Sequence, residues 1–167
     1  MVVVRTLRRL EACPPHGLLD EKMNTTPLYR MRFTYPEGWS VSLAGAESTE
    51  SQQFFIAEGT CEGKIAGRLR ASNHPRRRGD GTFEPNFQGV IETADGAVIY
   101  HDCRGYGRAY PPGRRQIVVC AFHLSDDARY KWLNNVLAVG TGEVRAGAEG
   151  SVLVIDWYEV VWEAVAE

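Results

Sequence analysis

The chain has 167 residues, with 44% hydrophobic and 24% charged side chains and a formal net charge of -2. That suits one domain with a true core, and it excludes a disordered chain or one drawn to nucleic acid or membrane by overall charge. The charge is uneven: nine Arg face five acids between Arg68 and Arg115, and three basic residues face eight acids from Asp126 to Glu167, so an anion site belongs in the middle.

Residues 1–26 read as a separable leader. Pro14, Pro15 and Gly17 break it, and Met23 offers a second start, which would make the leader an artefact of gene start; otherwise it is a mobile arm. A short helix over Val3 to Ala12 is marginal in isolation. From residue 27 the pattern turns to strands and stays there as one domain to residue 167. Tyr29, Met31, Phe33 and Tyr35 alternate with Arg30, Arg32 and Thr34, the period of a half-buried strand. Gln53 to Cys61 and Lys64 to Ser72 follow, joined at Gly63. Asn73 to Pro85 reads as a long loop. Asn86 to Thr93 and Ala97 to Cys103 flank Ala94-Asp95-Gly96, a hairpin turn in which Asp-Gly favours positive φ. Gly105 to Gly113 reads as a Gly/Pro loop, and Ile117 to His123 as a β-branched strand.

Ser125 to Asn134 predicts one short helix, with Ser125 as its cap and Asp126 and Asp127 at its positive end. Val136 to Thr141 and Val152 to Trp162 are further strands, with a turn over Ala146 to Gly150. About eight short strands and one short helix predict a mostly β domain, a closed antiparallel barrel whose interior is filled or holds one small ligand.

Cys13, Cys61, Cys103 and Cys120 form no CxxC and have no paired histidines, so they read as reduced cysteines of a cytoplasmic protein rather than metal ligands. No apolar run is long enough to span a bilayer as a helix. There is no nucleophile elbow, P-loop or zincin pattern, and Gly140-Thr141-Gly142 lacks the helix that a dinucleotide fingerprint needs. Neither cofactor nor metal is expected.

Three segments in order carry a resemblance: FFIAEGTCEGKIAGRLR (54–70), DGTFEPNFQGVIETADGAVIYHDCRGYG (80–107) and DDARYKWLNNVLAVGTGEV (126–144). A G-x-x-x-G strand pair, a D-G-T turn, an x-T-x-D-G-A hairpin, an R-G, a Y-x-W-L-N segment and a G-x-G strand end succeed one another over most of residues 28 to 162. The chain thus resembles the domain-of-unknown-function 3237 family of small bacterial and fungal β-barrel proteins. The resemblance implies a calycin-like or allene-oxide-cyclase-like barrel with an internal pocket and no settled activity. Where many members have D-W after the second strand, this chain has Asn73, His74 and Pro75.

The candidate site residues follow from chemistry and face. His101 and His123 titrate near neutrality and sit on strands, so either could carry protons if both face inward. Asn73 precedes the Arg76-Arg77-Arg78 run, which can fork to a carboxylate or phosphate or simply be a solvated loop. Arg104 and Tyr106, continued by Arg108 and Tyr110, would share one face if extended, offering cations and rings to a planar anion. Tyr130, Trp132 and Asn134 come from the Y-x-W-L-N segment, whose other reading is a plug at one barrel end. Asp156 and Tyr158 share a face with Val152, Val154 and Val160, and an acid on an apolar face needs a partner or a polar cavity. Glu92 falls near Ile99 across the hairpin, so it does not oppose Asp102.

These readings predict a small-molecule-binding barrel, either a cofactor-independent isomerase, cyclase or lyase acting on an aromatic or polyketide-like metabolite, or a non-catalytic carrier or sensor. A single-stranded nucleic-acid binder using the Arg and Tyr stretch is a third reading that the net charge disfavours. No membrane partner is expected, and a homodimer is allowed.

Overall fold

The computed structural model describes residues 23–43, 50–110, 114–147 and 150–163. The described residues form one sheet of ten strands: β1 (Thr25–Ser42), β2 (Ser51–Gly63), β3 (Gly67–Asn73), β4 (Arg76–Arg77), β5 (Phe83–Glu84), β6 (Asn86–Thr93), β7 (Val98–Tyr110), β8 (Arg114–Leu124), β9 (Ala138–Gly147) and β10 (Gly150–Val160). Eight of them close into an antiparallel barrel in the circular order β1-β2-β3-β6-β7-β8-β9-β10, because β1 pairs with both β2 and β10. The barrel is the expected one. Its first strand begins at Thr25, two residues inside the anticipated leader; the rest of that leader, residues 1–22, lies outside the described residues.

Alternation decides which side chains fill the barrel. Met31 and Phe33 of β1, Ile99, His101 and Cys103 of β7, Ile117, Val119, Ala121 and His123 of β8, and Leu153, Ile155 and Trp157 of β10 are buried. Their neighbours along each strand face out. A bulge in β1 between Pro27 and Tyr29 makes both Leu28 and Tyr29 buried, so the strand gains an inward side chain there.

Four local expectations change. The presumed loop after Cys103 is instead strand as far as Tyr110, paired along its length with β8. Gly105 has φ of 154°, and a Cβ there would lie 2.3 Å from the Val118 carbonyl oxygen, so the glycine is required by close strand contact and not by a turn. The stretch 73–85 is a hairpin continuing β3 and β6, interrupted at His74-Pro75 and Pro85; β4 pairs with β2, and β5 pairs with β4 and β7. Proline supplies no N–H to a ladder, which explains the interruptions. The expected helix over 125–134 is a turn followed by a 3-10 helix at Lys131–Asn135. There Ser125 Oγ accepts from the Asp127 N–H, Asp127 from the Arg129 N–H, and Asn134 bonds both backbone groups of Ser125. Such local bonds compete with an α-helical ladder. Strand β9 starts two residues later than expected and runs to Gly147, into the first two residues of the anticipated turn. The Asp95-Gly96 turn is as expected, with Gly96 at φ 86°.

Candidate ligand cavity

The barrel encloses a cavity of about 360 Å³. Rings dominate its wall: Phe33, Tyr35, Phe55, Phe83, Phe87 and Trp157. The deep end is formed by Met31, His101, Cys103 and Trp157, all buried, while Gln53, Phe55, Phe83 and Arg115 at the other end are half-exposed. The cavity thus has a closed floor and a mouth framed by the β4–β5 hairpin.

His101 and His123 face each other across the β7–β8 ladder as register partners. Both are inward, and Nδ1 of His101 lies 3.1 Å from Nε2 of His123. The Tyr29 hydroxyl completes a triangle, 2.7 Å from His123 Nε2 and 3.3 Å from His101 Nδ1. The bulge at Leu28 brings Tyr29 into register for this contact. Phe87 and Trp157 meet the His101 ring edge to face at 5.8 and 5.1 Å and hold its plane.

Burial sets the charge state of this cluster. It lowers His101 well below the ordinary histidine range, helped by the neighbouring His123, and lowers His123 to about 4. It raises the Tyr29 phenol well above its usual value. All three groups are therefore neutral near pH 7. Three close polar contacts among neutral groups need one ring to donate and the other to accept. Two arrangements satisfy them: Tyr29 O–H donates to His123 Nε2 and His101 Nδ1–H to the Tyr29 oxygen, or His123 Nε2–H donates to the Tyr29 oxygen and Tyr29 O–H to His101 Nδ1. In the first arrangement His101 Nε2 is a bare acceptor; in either it has no hydrogen-bond partner, and neither does His123 Nδ1. The first arrangement can accept a proton at His101 Nε2 and pass one from Nδ1 to His123.

Other polar groups of the wall are tied up. Asn73, the predicted binding residue, lines the cavity, donates from Nδ2 to the Tyr35 hydroxyl at 2.7 Å and accepts from the Asn86 N–H. Cys103 lines the floor and Cys61 is buried nearby; burial pushes the Cys61 thiol up to about 12 and raises Cys103 as well, so both are protonated and unreactive. No group of three or more His, Cys, Asp or Glu that could hold a metal occurs among the described residues. The far nitrogens of the two histidines also lack the acceptor that ordinarily orients a metal-bound imidazole.

The remaining predicted residues lie elsewhere. Arg104 and Tyr106 do share one face with Arg108, but it is the outer face of β7, because the inward positions belong to His101, Cys103 and Gly107. Arg104 pairs with Asp102 at 3.5 Å, and with Tyr106 it borders an outer groove beside His74 and Arg76. Tyr110 lies outside the described side chains. On β10 the inward face is Leu153, Ile155 and Trp157, so Asp156 and Tyr158 are on the other side. Asp156 accepts a two-pronged bond from Arg30, its register partner on β1, at 2.6 and 2.9 Å. Tyr130 bonds the Asp95 carboxylate at 3.3 Å and packs against the core, Asn134 braces Ser125, and Trp132 is exposed; Leu133 is the fully buried residue of that segment. Glu92 faces Val98 and Asp102 faces Gln88, so the two acids are not opposed.

Sequence reading missed Tyr29, Gln53, Phe83, Arg115 and Trp157 as site residues. Two of them were within reach of it. Stepping back by twos from His123 through Ala121, Val119 and Ile117 arrives at Arg115, and stepping back from Met31 arrives at Tyr29.

The model of the family described as "Protein of unknown function (DUF3237)" matches residues 23–160. The chain belongs to the DUF3237 family. Its match covers every strand of the closed barrel, in agreement with the resemblance carried by the three segments. No curated protein matches the chain. Among solved structures, a "beta-barrel like protein" from Acinetobacter baumannii AYE is similar at 21% identity and TM-score 0.70, over 81% of this chain and 94% of that one. A protein of unknown function from Clostridium acetobutylicum ATCC 824 is similar at 17% identity and TM-score 0.70, over 83% and 100%. "An enzyme from Penicillium herquei" is similar at 20% identity and TM-score 0.63, over 83% and 94%. These likenesses establish the barrel fold of the DUF3237 chain.

Proposed function

We propose that the barrel binds a small, flat, mostly apolar molecule in its lumen and moves a proton on it without a cofactor. The reaction class is an isomerisation, cyclisation or elimination of an aromatic or polyketide-like metabolite. His101 Nε2 is the observation that carries this reading: a nitrogen of a fully buried ring that lines the cavity and finds no partner among the described residues. Leaving such an atom unpaired costs about 1–3 kcal/mol, a cost a guest's O–H or C–H acid would offset. His101 would exchange the proton, His123 and Tyr29 would accept or return it through their shared contacts, and the ring-lined wall would exclude water and seat a planar guest. The structural neighbour described as an enzyme is compatible with this chemistry.

The test uses 2-tetralone, a neutral bicyclic ketone with acidic α-protons, followed by NMR in deuterium oxide. The wild-type protein should accelerate α-proton exchange, and His101→Ala should abolish the acceleration while 2-tetralone still binds. Binding by the wild type with no exchange would instead make the protein a carrier or sensor.

A further inference from the structure

Eight of the thirteen arginines among the described residues are neutralised. Arg30, Arg68, Arg76, Arg78, Arg104, Arg114, Arg129 and Arg145 each have an Asp or Glu oxygen within 4 Å. Arg115 and Arg77 have no such partner among the described residues, although both are half-buried, and the Nε atoms of both are buried and unbonded. The two guanidiniums flank one ring: Cζ of Arg115 lies 3.7 Å and that of Arg77 5.7 Å from the centre of Phe83. Gly107 makes room for this stack, since a Cβ there would lie 3.2 Å from the Arg115 side chain. Arg115 and Phe83 line the mouth of the cavity. Burial, and then the charge of Arg77, lowers the Arg115 pKa, so the site holds positive charge at a cost.

A guanidinium seated over a ring still has N–H groups to offer, and their fork matches a carboxylate. Arg115 and His123 occupy opposite ends of one inward face of β8, with Ile117, Val119 and Ala121 between them.

We infer that the guest of this cavity is an elongated aromatic anion, its carboxylate or ionised phenol held at the mouth by Arg115 with help from Arg77, and its neutral end directed to His101. This rests on the lumen reading above and adds the charge, length and direction of the guest. Arg115 is a binding residue here, and the proton exchange remains with His101.

Biphenyl-4-carboxylate and 4-biphenylmethanol, alike in shape and different in charge, separate the two claims by titration calorimetry at pH 7.5. The wild type should bind the carboxylate at least about tenfold more tightly than the alcohol, as expected for one partly buried charge-assisted contact. Arg115→Gln should erase that preference and leave the alcohol's affinity within about twofold. Arg115→Lys, which keeps charge but not the fork, should retain part of it and serves if the glutamine variant does not fold. Arg77→Gln should cause a smaller loss. Equal binding of both probes by the wild type would overturn the anion claim while leaving the lumen reading intact. A preference surviving both Arg115 variants would overturn the assignment to Arg115, and binding of neither probe would overturn both claims.

Discussion

A buried imidazole reports its surroundings through pH. His123 is held near pKa 4 by burial, against about 6.5 in an unfolded chain, and His101 is shifted in the same direction. The unfolded chain therefore binds more protons between those values, so stability falls as pH drops from about 6.5 toward 4. At pH 5 the loss from His123 is about 2 kcal/mol. Thermal melts of the wild type and His123→Gln between pH 7.5 and 5 should show the variant losing less on acidification. The Arg30–Asp156 pair is the opposite case at the same scale. It is geometrically good and solvent-exposed, so Asp156→Asn should change stability by less than about 1 kcal/mol and leave 2-tetralone binding untouched, as melts and titration would show. Composition alone invites the reverse ranking, because an acid among valines draws more notice than a tyrosine among methionine and phenylalanine. What decides the matter is the phase of each strand's alternation. On β10 the phase follows Leu153, Ile155 and Trp157, and these larger apolar side chains, not the valines, are inside.

At the scale of elements, the period-two pattern made β1, β6, the start of β7 and β8 legible, and with them the strand faces that carry His101 and His123. It failed where glycine and proline carry two meanings. Gly105 and Gly107 read as loop residues, yet both lie in β7, one against the backbone of β8 and the other beneath Phe83 and Arg115. Gly105→Ala should destabilise the protein by about 1–3 kcal/mol, measured by urea melts, since its Cβ would collide with the Val118 carbonyl and its φ suits few other residues. Pro75 and Pro85 lie in a stretch that reads as a loop, but each interrupts a hairpin that resumes beyond it, and it is the resumed part that frames the mouth. Nothing local in the sequence distinguishes a break that ends a strand from one that divides it. The Tyr130 to Asn134 segment shows the same limit: its residues stay together, but the bonds of Ser125 and Asn134 replace the helix that spacing suggests.

At the scale of the molecule, barrel closure was legible from strand number and the shortage of helix, whereas the cavity was not. Whether an eight-stranded barrel is solid or hollow depends on the summed volume of inward side chains. Here the hollow lies where Val119, Cys103 and Gly107 are small between large rings. Val119→Phe should fill it, keeping stability within about 1.5 kcal/mol of wild type while abolishing binding of biphenyl-4-carboxylate, a pairing of melt and titration that a merely damaged fold would not give.

The seam between β1 and β10 carries a kinetic consequence. Thr25 faces Val160 across it, and the backbone N–H of Val161 donates to the Asn24 carbonyl, so the first strand waits for the last before the ring exists. Contacts so distant along the chain make for slow assembly. Until they form there is no chamber for a visitor to enter. Ligand should therefore leave the refolding rate unchanged and slow only the unfolding rate, giving occupied molecules a longer lifetime without a faster birth.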